Sequence, residues 1–224
     1  MRISVIVPTL NEAARIAHSL EPLQALRGDG HELIVVDGGS SDATLGCVEP
    51  FADHCLTAVR GRASQMNAGA EAACGDVLWF VHADTRAGAE QGRAVVSACA
   101  DAEAWGRFDV RLSGRQLLLR AVERMMNLRS RVTGLATGDQ ALFVTRRLFD
   151  RVGGFPQIPL MEDIEISRRL RRLRPPLCLH ETVVTSSRRW ETQGVTRTMA
   201  LMWYLRAAYA VGVPAHRLAA LYDK

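Results

Sequence analysis

Apolar positions in the first 81 residues cluster in short runs and do not alternate with polar ones. Ile3-Ser4-Val5-Ile6-Val7, Glu32-Leu33-Ile34-Val35-Val36-Asp37 and Val77-Leu78-Trp79-Phe80-Val81 have strand length and strand composition. Without alternation both faces must be covered, as in a parallel sheet flanked by helices. Between these runs the spacing predicts a helix from about Glu12 to Arg27, capped by Asn11, with Ile16, Leu20 and Leu23 on one face. Gly38 to Asp42 turns into a second helix with Ser40 or Ser41 as cap. A short strand follows at His54 to Val59, then a helix from Ala63 to Ala73 that Gly75 stops. Strand and helix in alternation, joined by short loops, predict a doubly wound α/β sheet with helices on both faces.

The second half is less regular. Helices are expected at Glu90 to Ala100, Gln116 to Arg131 and from Glu162-Asp163 through Arg172. Trp105 to Leu112 alternates, which predicts an antiparallel strand with one wet face. Gly138 to Val144 reads as a turn and a strand, and Leu177 to Val184 as the last strand. Val195 to Val211 reads as an amphipathic helix, serving as core or a homodimer face, or at most as a peripheral contact with anionic lipid. Pro214 begins a short final helix. No repeat or linker divides the chain, so one domain over 1–224 is expected. Its nucleotide side would occupy about 1–100 and its acceptor side about 101–224.

Composition adds limits. A net charge of +4 is too small to argue for nucleic acid. Lys224 is the only lysine, so the positive charge is almost all arginine, the better fork for phosphate. Five cysteines with no CxxC pair argue against structural zinc and a disulfide framework, and favour a reducing cytoplasm. No uncharged apolar run reaches bilayer-spanning length.

Three aspartates draw attention. Asp37 and Asp84 follow buried strands, where ligands bind in open α/β sheets, and Asp163 opens a helix. Each is equally readable as a turn former or cap. The loop Pro8-Thr9-Leu10-Asn11-Glu12 has no glycine-rich turn for a dinucleotide, and neither GxxxxGK[ST] nor G-x-S-x-G occurs. A bound nucleotide would need side chains, with its phosphates held by a metal or by arginine. Arg188-Arg189-Trp190 reads either as a surface turn with an anchoring tryptophan or as a clamp for diphosphate or acceptor. Arg168, Arg169, Arg171 and Arg172 read as a solvated helix face. His180 is a candidate to face the site.

Several blocks together resemble a known family. Val5 to Glu12, Val35 to Thr44, Asn67-Ala68-Gly69 with Gly75-Asp76-Val77, His82-Ala83-Asp84 and Glu162-Asp163 resemble, in order, the motifs of family-2 glycosyltransferases. Within that family, Gly61 to Asn67, Trp105-Gly106-Arg107-Phe108 and Ser186 to Trp190 resemble a small bacterial subgroup, the radical-SAM/selenodomain-associated "transferase 2" proteins, related to arsenosugar-type enzymes.

The resemblance implies a three-layer α/β/α GT-A fold, with a mostly parallel sheet and an antiparallel acceptor-side portion. It implies transfer of a sugar, with inversion, from a nucleotide-diphosphate donor such as a UDP-sugar to a small-molecule or lipid hydroxyl. Pro8, Thr9, Glu12, Asp37, Arg62, Gln65, His82, Ala83 and Asp84 would bind the donor. Asp84 would hold Mn²⁺ or Mg²⁺, and Asp163 would be the general base. Arg107, Glu162, Arg188, Arg189 and Trp190 would clamp acceptor or phosphate. The sequence departs from the family at His82, where the first aspartate of D-x-D belongs, and at Ser186, where the glutamine of the processive synthases belongs. Two other readings remain: a sugar-phosphate nucleotidyltransferase, and a non-catalytic nucleotide-sugar-binding protein.

Overall fold

A computed structural model describes residues 1–100 and 102–222; Asp101, Asp223 and Lys224 lie outside it. The first half contributes β1 (Ile3–Thr9), α1 (Ile16–Leu20), α2 (Gln24–Gly28), β2 (Glu32–Asp37), α3 (Thr44–Val48), β3 (His54–Thr57), α4 (Arg62–Ala72), β4 (Val77–Phe80), β5 (Thr85–Arg86) and α5 (Ala89–Cys99). The second contributes β6 (Trp105–Leu112), α6 (Leu117–Thr133), β7 (Phe143–Thr145), α7 (Arg146–Val152), α8 (Glu162–Leu173), β8 (Leu177–Thr185), α9 (Arg188–Gln193), α10 (Val195–Ala210) and α11 (Ala215–Tyr222).

All eight strands join one sheet in the order β3-β2-β1-β4-β7-β6-β8-β5. The first four run parallel; β7 is antiparallel to both β4 and β6, β8 is parallel to β6, and β5 is antiparallel to β8. Each of β1, β2 and β4 is buried along its whole length, as their unbroken apolar runs require. Alternate residues of β1 go to opposite faces. Ile3, Val5 and Val7 pack with Ile16, Leu20 and Val95 on one side, while Ile6 packs with Met66, Ala70 and Leu148 on the other. The result is the expected three-layer α/β/α arrangement with a mixed sheet.

Several local expectations are corrected. The first helix starts only at Ile16 and is interrupted by a 3₁₀ turn at Glu21–Leu23, where Pro22 brings no N–H. Asn11 does not cap it. With φ at 53°, Asn11 turns back, and its Oδ1 accepts the Ser41 N–H at 2.8 Å, stitching two loops together. Neither Ser40 nor Ser41 caps α3; Asp42 Oδ1 accepts the Thr44 N–H at 3.0 Å instead. β6 has almost no wet face: Trp105 to Phe108 are all buried. α10 is not amphipathic in the expected sense, because Trp203 and Tyr204 on its outer side are more than half exposed. No helix among the described residues is long and apolar enough to cross a membrane. All five cysteines are free.

Candidate active site

Past the carboxyl ends of β1 and β4 lies a cavity of about 540 Å³. Several segments meet there, among them the following five. The loop after β1 brings Glu12, the loop after β4 brings His82 and Asp84, and the turn before β7 brings Gly138 and Asp139. The start of α8 brings Glu162 and Asp163, and the chain after β8 brings Ser186, Arg188, Arg189 and Trp190. The parallel strands end together on one side, and the second-half strands carry their own loops to the same place.

Asp163 is the best-fixed carboxylate. Its Oδ2 accepts the Gly138 N–H at 2.9 Å and its Oδ1 the Ile164 N–H at 2.7 Å, so it sits at the amino end of α8, where the helix dipole favours a negative charge. Met161, just before it, takes a left-handed conformation that swings the helix start into the cavity. Gly138 is a glycine for a local reason: a Cβ there would lie 2.0 Å from His82 Cε1. The His82 ring therefore packs against this backbone, its Cε1–Nε2 edge nearest. Burial, then the Arg62 charge, lower its pKa to about 3, so it is a neutral imidazole at physiological pH. Its Nδ1 lies 3.9 Å from Asp139 Oδ1.

Three other carboxyls of the cavity are pushed the other way. Asp84 rises to about 6 because of burial and then the nearby Asp139 and Glu12. Burial also raises Asp139, against the opposing charges of Arg62 and Arg206. Glu162 rises to about 7 through burial and the charge of Asp163, although Arg62 Nη1 stands 3.7 Å from its Oε1. Arg188 reaches back across the cavity to Glu12, at 3.2 Å. Arg189 lies over the Tyr222 ring, 3.5 Å from its centroid. Gln65 donates to the carbonyls of Thr9 and Val36, both at 2.8 Å, and so ties the ends of β1 and β2 together at the cavity edge.

Thirteen residues named from the sequence line the cavity: Pro8, Thr9, Glu12, Arg62, Gln65, His82, Ala83, Asp84, Glu162, Asp163, Arg188, Arg189 and Trp190. Asp37 and Arg107 do not. Asp37 is 1% exposed, and its carboxylate is used up in its own turn by the N–H groups of Gly39 and Ser40 and the Ser40 hydroxyl. Arg107, also 1% exposed, is turned into the interior, where it pairs with Asp109 and donates to the Asn127 carbonyl at 3.2 Å. His180 lies away from the cavity, exposed beside Arg131. Sequence reasoning missed Asp139, Thr198, Arg206 and Tyr222, which all line it. Thr137 to Gln140 does carry the T-x-x-Q pattern of a capping box, and the structure forms that box around Asp139.

A hard divalent cation suits this donor set in part. Asp84, Asp139 and Glu12 all line the cavity, offer oxygen ligands only, and lie near enough for the charges of Asp139 and Glu12 to act on Asp84. No group of three acidic, histidine or cysteine side chains among the described residues converges into a ready cage. A cation here would take the rest of its shell from phosphate oxygens and water, as Mg²⁺ usually does.

Residues 4–143, more than half of the chain, match Glycosyl transferase family 2. The chain belongs to this family. An uncharacterized glycosyltransferase of Mycobacterium tuberculosis (strain ATCC 25618 / H37Rv) is 31% identical over 164 residues, 68% of this chain and 62% of that protein. The chain thus spans less than two thirds of this family member's length. Among solved structures, S. aureus TarS 1-349 in complex with UDP-GlcNAc superposes with a TM-score of 0.69 at 20% identity, over 83% of this chain and 58% of that one. The Pyrobaculum calidifontis mannosyltransferase PcManGT, in complex with GDP-Man and Mn²⁺, gives 0.65 at 22% identity, over 95% of this chain and 65% of that one. At such identities the likeness establishes a shared family 2 fold, the curled mixed sheet seen here.

Proposed function

We propose that this protein is an inverting glycosyltransferase that moves a sugar from a nucleotide-diphosphate donor to a hydroxyl acceptor. The observation that carries the reading is Asp163, a carboxylate locked by two backbone N–H groups at a helix start, lining a cavity that Asp84 also lines. Family membership and neighbours that bind UDP-GlcNAc and GDP-Man support a nucleotide-sugar donor. Pro8, Thr9, Glu12 and Gln65 would hold the nucleoside, with Arg62 and Arg188 on its diphosphate.

Asp84 would hold a divalent cation, Mn²⁺ or Mg²⁺, which supplies neutralising charge at the diphosphate; the neighbour with Mn²⁺ supports this. His82, as a neutral imidazole, would serve as a hydrogen-bonding wall. Asp163 would take the proton of the acceptor hydroxyl as its oxygen attacks the anomeric carbon, on the face opposite the departing nucleoside diphosphate. One base and one displacement give inversion. A cytoplasmic enzyme of one domain, akin to the "transferase 2" subgroup, is the matching context.

The test is turnover of UDP- and GDP-sugars with Mn²⁺ or Mg²⁺. Asp163→Asn is expected to lower transfer roughly 10²–10⁴-fold while nucleotide affinity stays within about twofold. Turnover that survives this substitution unchanged removes Asp163 from the role.

A further inference from the structure

The second-half wall of the cavity carries a cation that donor binding does not account for. Thr198, Met202, Leu205 and Arg206 of α10 line the cavity at i, i+4, i+7 and i+8, one face of the helix. That helix packs on the start of α8, because Leu205 clusters with Leu160, Met161 and Ile164. Arg206 therefore lies on the cavity wall beside the start of α8, and its charge is felt by Asp139. Three other cavity arginines are engaged: Arg62 with Glu162, Arg188 with Glu12, and Arg189 with Tyr222. Arg206 has no ion pair or side-chain hydrogen bond among the described residues.

Two further groups in this region lack partners. Thr198 is 1% exposed, and its Oγ1 has no hydrogen-bond partner. Arg129 is held by the Leu135 carbonyl through Nη1, at 3.2 Å, while its buried Nε and Nη2 have none. Burial, and then the charge of Arg206, lower the Arg129 pKa to about 10, so the two guanidiniums feel each other. Buried donors without acceptors are uncommon and ask for a ligand. An anion would satisfy the hydroxyl and relieve the like-charge contact.

We propose that Arg206, with Thr198, forms an acceptor subsite for a phosphate or carboxylate, so that the acceptor is a hydroxyl compound bearing a negative group. The subsite rests on the glycosyltransferase reading for its meaning, but its ligand binding is measurable apart from turnover. The hydroxyl would lie at Asp163, and the anion a short distance further along α10.

The experiment is ligand-observed NMR on the full-length protein with UDP and Mg²⁺, comparing glycerol, glycerate and glycerol 3-phosphate. One or both anions are expected to bind and glycerol not. Arg206→Ala is expected to weaken anion binding roughly tenfold or more, Arg206→Lys less, and UDP affinity measured by calorimetry should stay within about twofold. A thermal melt checks folding, and Arg206→Gln gives the same reading if the alanine variant is unstable. Vesicles of phosphatidylglycerol against phosphatidylcholine separate the sources. Selective binding to the former places the group on a lipid headgroup, and binding of soluble anions alone places it on a free metabolite; either supports the subsite. Equal binding of glycerol, or anion binding unchanged in Arg206→Ala, overturns it. So does a loss of UDP affinity in that variant, which would make Arg206 a donor residue. A protein that binds the anions but never UDP would sink the glycosyltransferase reading and leave the anion site standing.

Discussion

Glu162 sits buried beside Asp163, and its carboxyl holds its proton to about 7 against an ordinary 4.5. At this group the folded protein holds a proton that the unfolded chain has lost across that window. The Glu162 contribution to stability therefore falls as pH rises from about 4.5 to about 7, while His82, shifted down, contributes with the opposite sign up to its ordinary 6.5. Glu162→Gln is expected to change the slope of Tm against pH over this range in the positive direction relative to the parent; the raised Asp84 and Asp139 keep their own negative contributions. An unchanged slope would contradict the assignment. At this scale the sequence was uneven in what it revealed. His82, Asp84 and Asp163 were legible because each ends an apolar run or opens a helix. Asp139 was not, since Gly138-Asp139-Gln140 looks like any polar turn until the fold brings it opposite His82. Arg107 misled for the opposite reason. A buried arginine paired with Asp109 and a backbone carbonyl has the same letter as one that grips a phosphate.

The strands were legible because burial on both faces writes itself as a continuous apolar run, as in β1, β2 and β4. The helices around the site were less so. α1 and α2 share a single apolar periodicity, yet Pro22 and the turned-back Asn11 divide what the spacing joins. α10 hid its place in the cavity wall because apolar residues sit on both sides of it: Trp203 and Tyr204 outward, Met202 and Leu205 inward beside Thr198 and Arg206. Close packing also fixes small residues. Gly69 of α4 lies against β1, and a Cβ there would come 2.4 Å from Ile6 Cγ2. Gly69→Ala should push α4 off the sheet and cost about 1–3 kcal/mol in denaturant unfolding. Because α4 begins with Arg62, weaker nucleotide binding should accompany that loss. A variant as stable as the parent would show that the helix can shift without strain.

The sheet does not divide where the first and second halves of the chain meet. β7 from the second half lies against β4 from the first, and β5 from the first half forms the far edge beside β8. A fragment of residues 1–100 is therefore expected to lack fixed tertiary structure, seen as lost near-UV circular dichroism. A cooperative melt of that fragment would refute this.

The rung between β5 and β8 has its own consequence. Thr85 pairs with Thr185, 100 residues later, their hydroxyls 3.1 Å apart, and this rung sets Asp84 close to the segment bearing Arg188. On a ribosome adding about 5–20 residues per second, β5 waits on the order of 5–20 s for its partner strand to be made. Until then the edge that carries Asp84 has nothing to pair with. Every nascent chain shorter than residue 185 thus carries Asp84 beside an unpaired edge, and the proposed donor site would close only once β8 has been made.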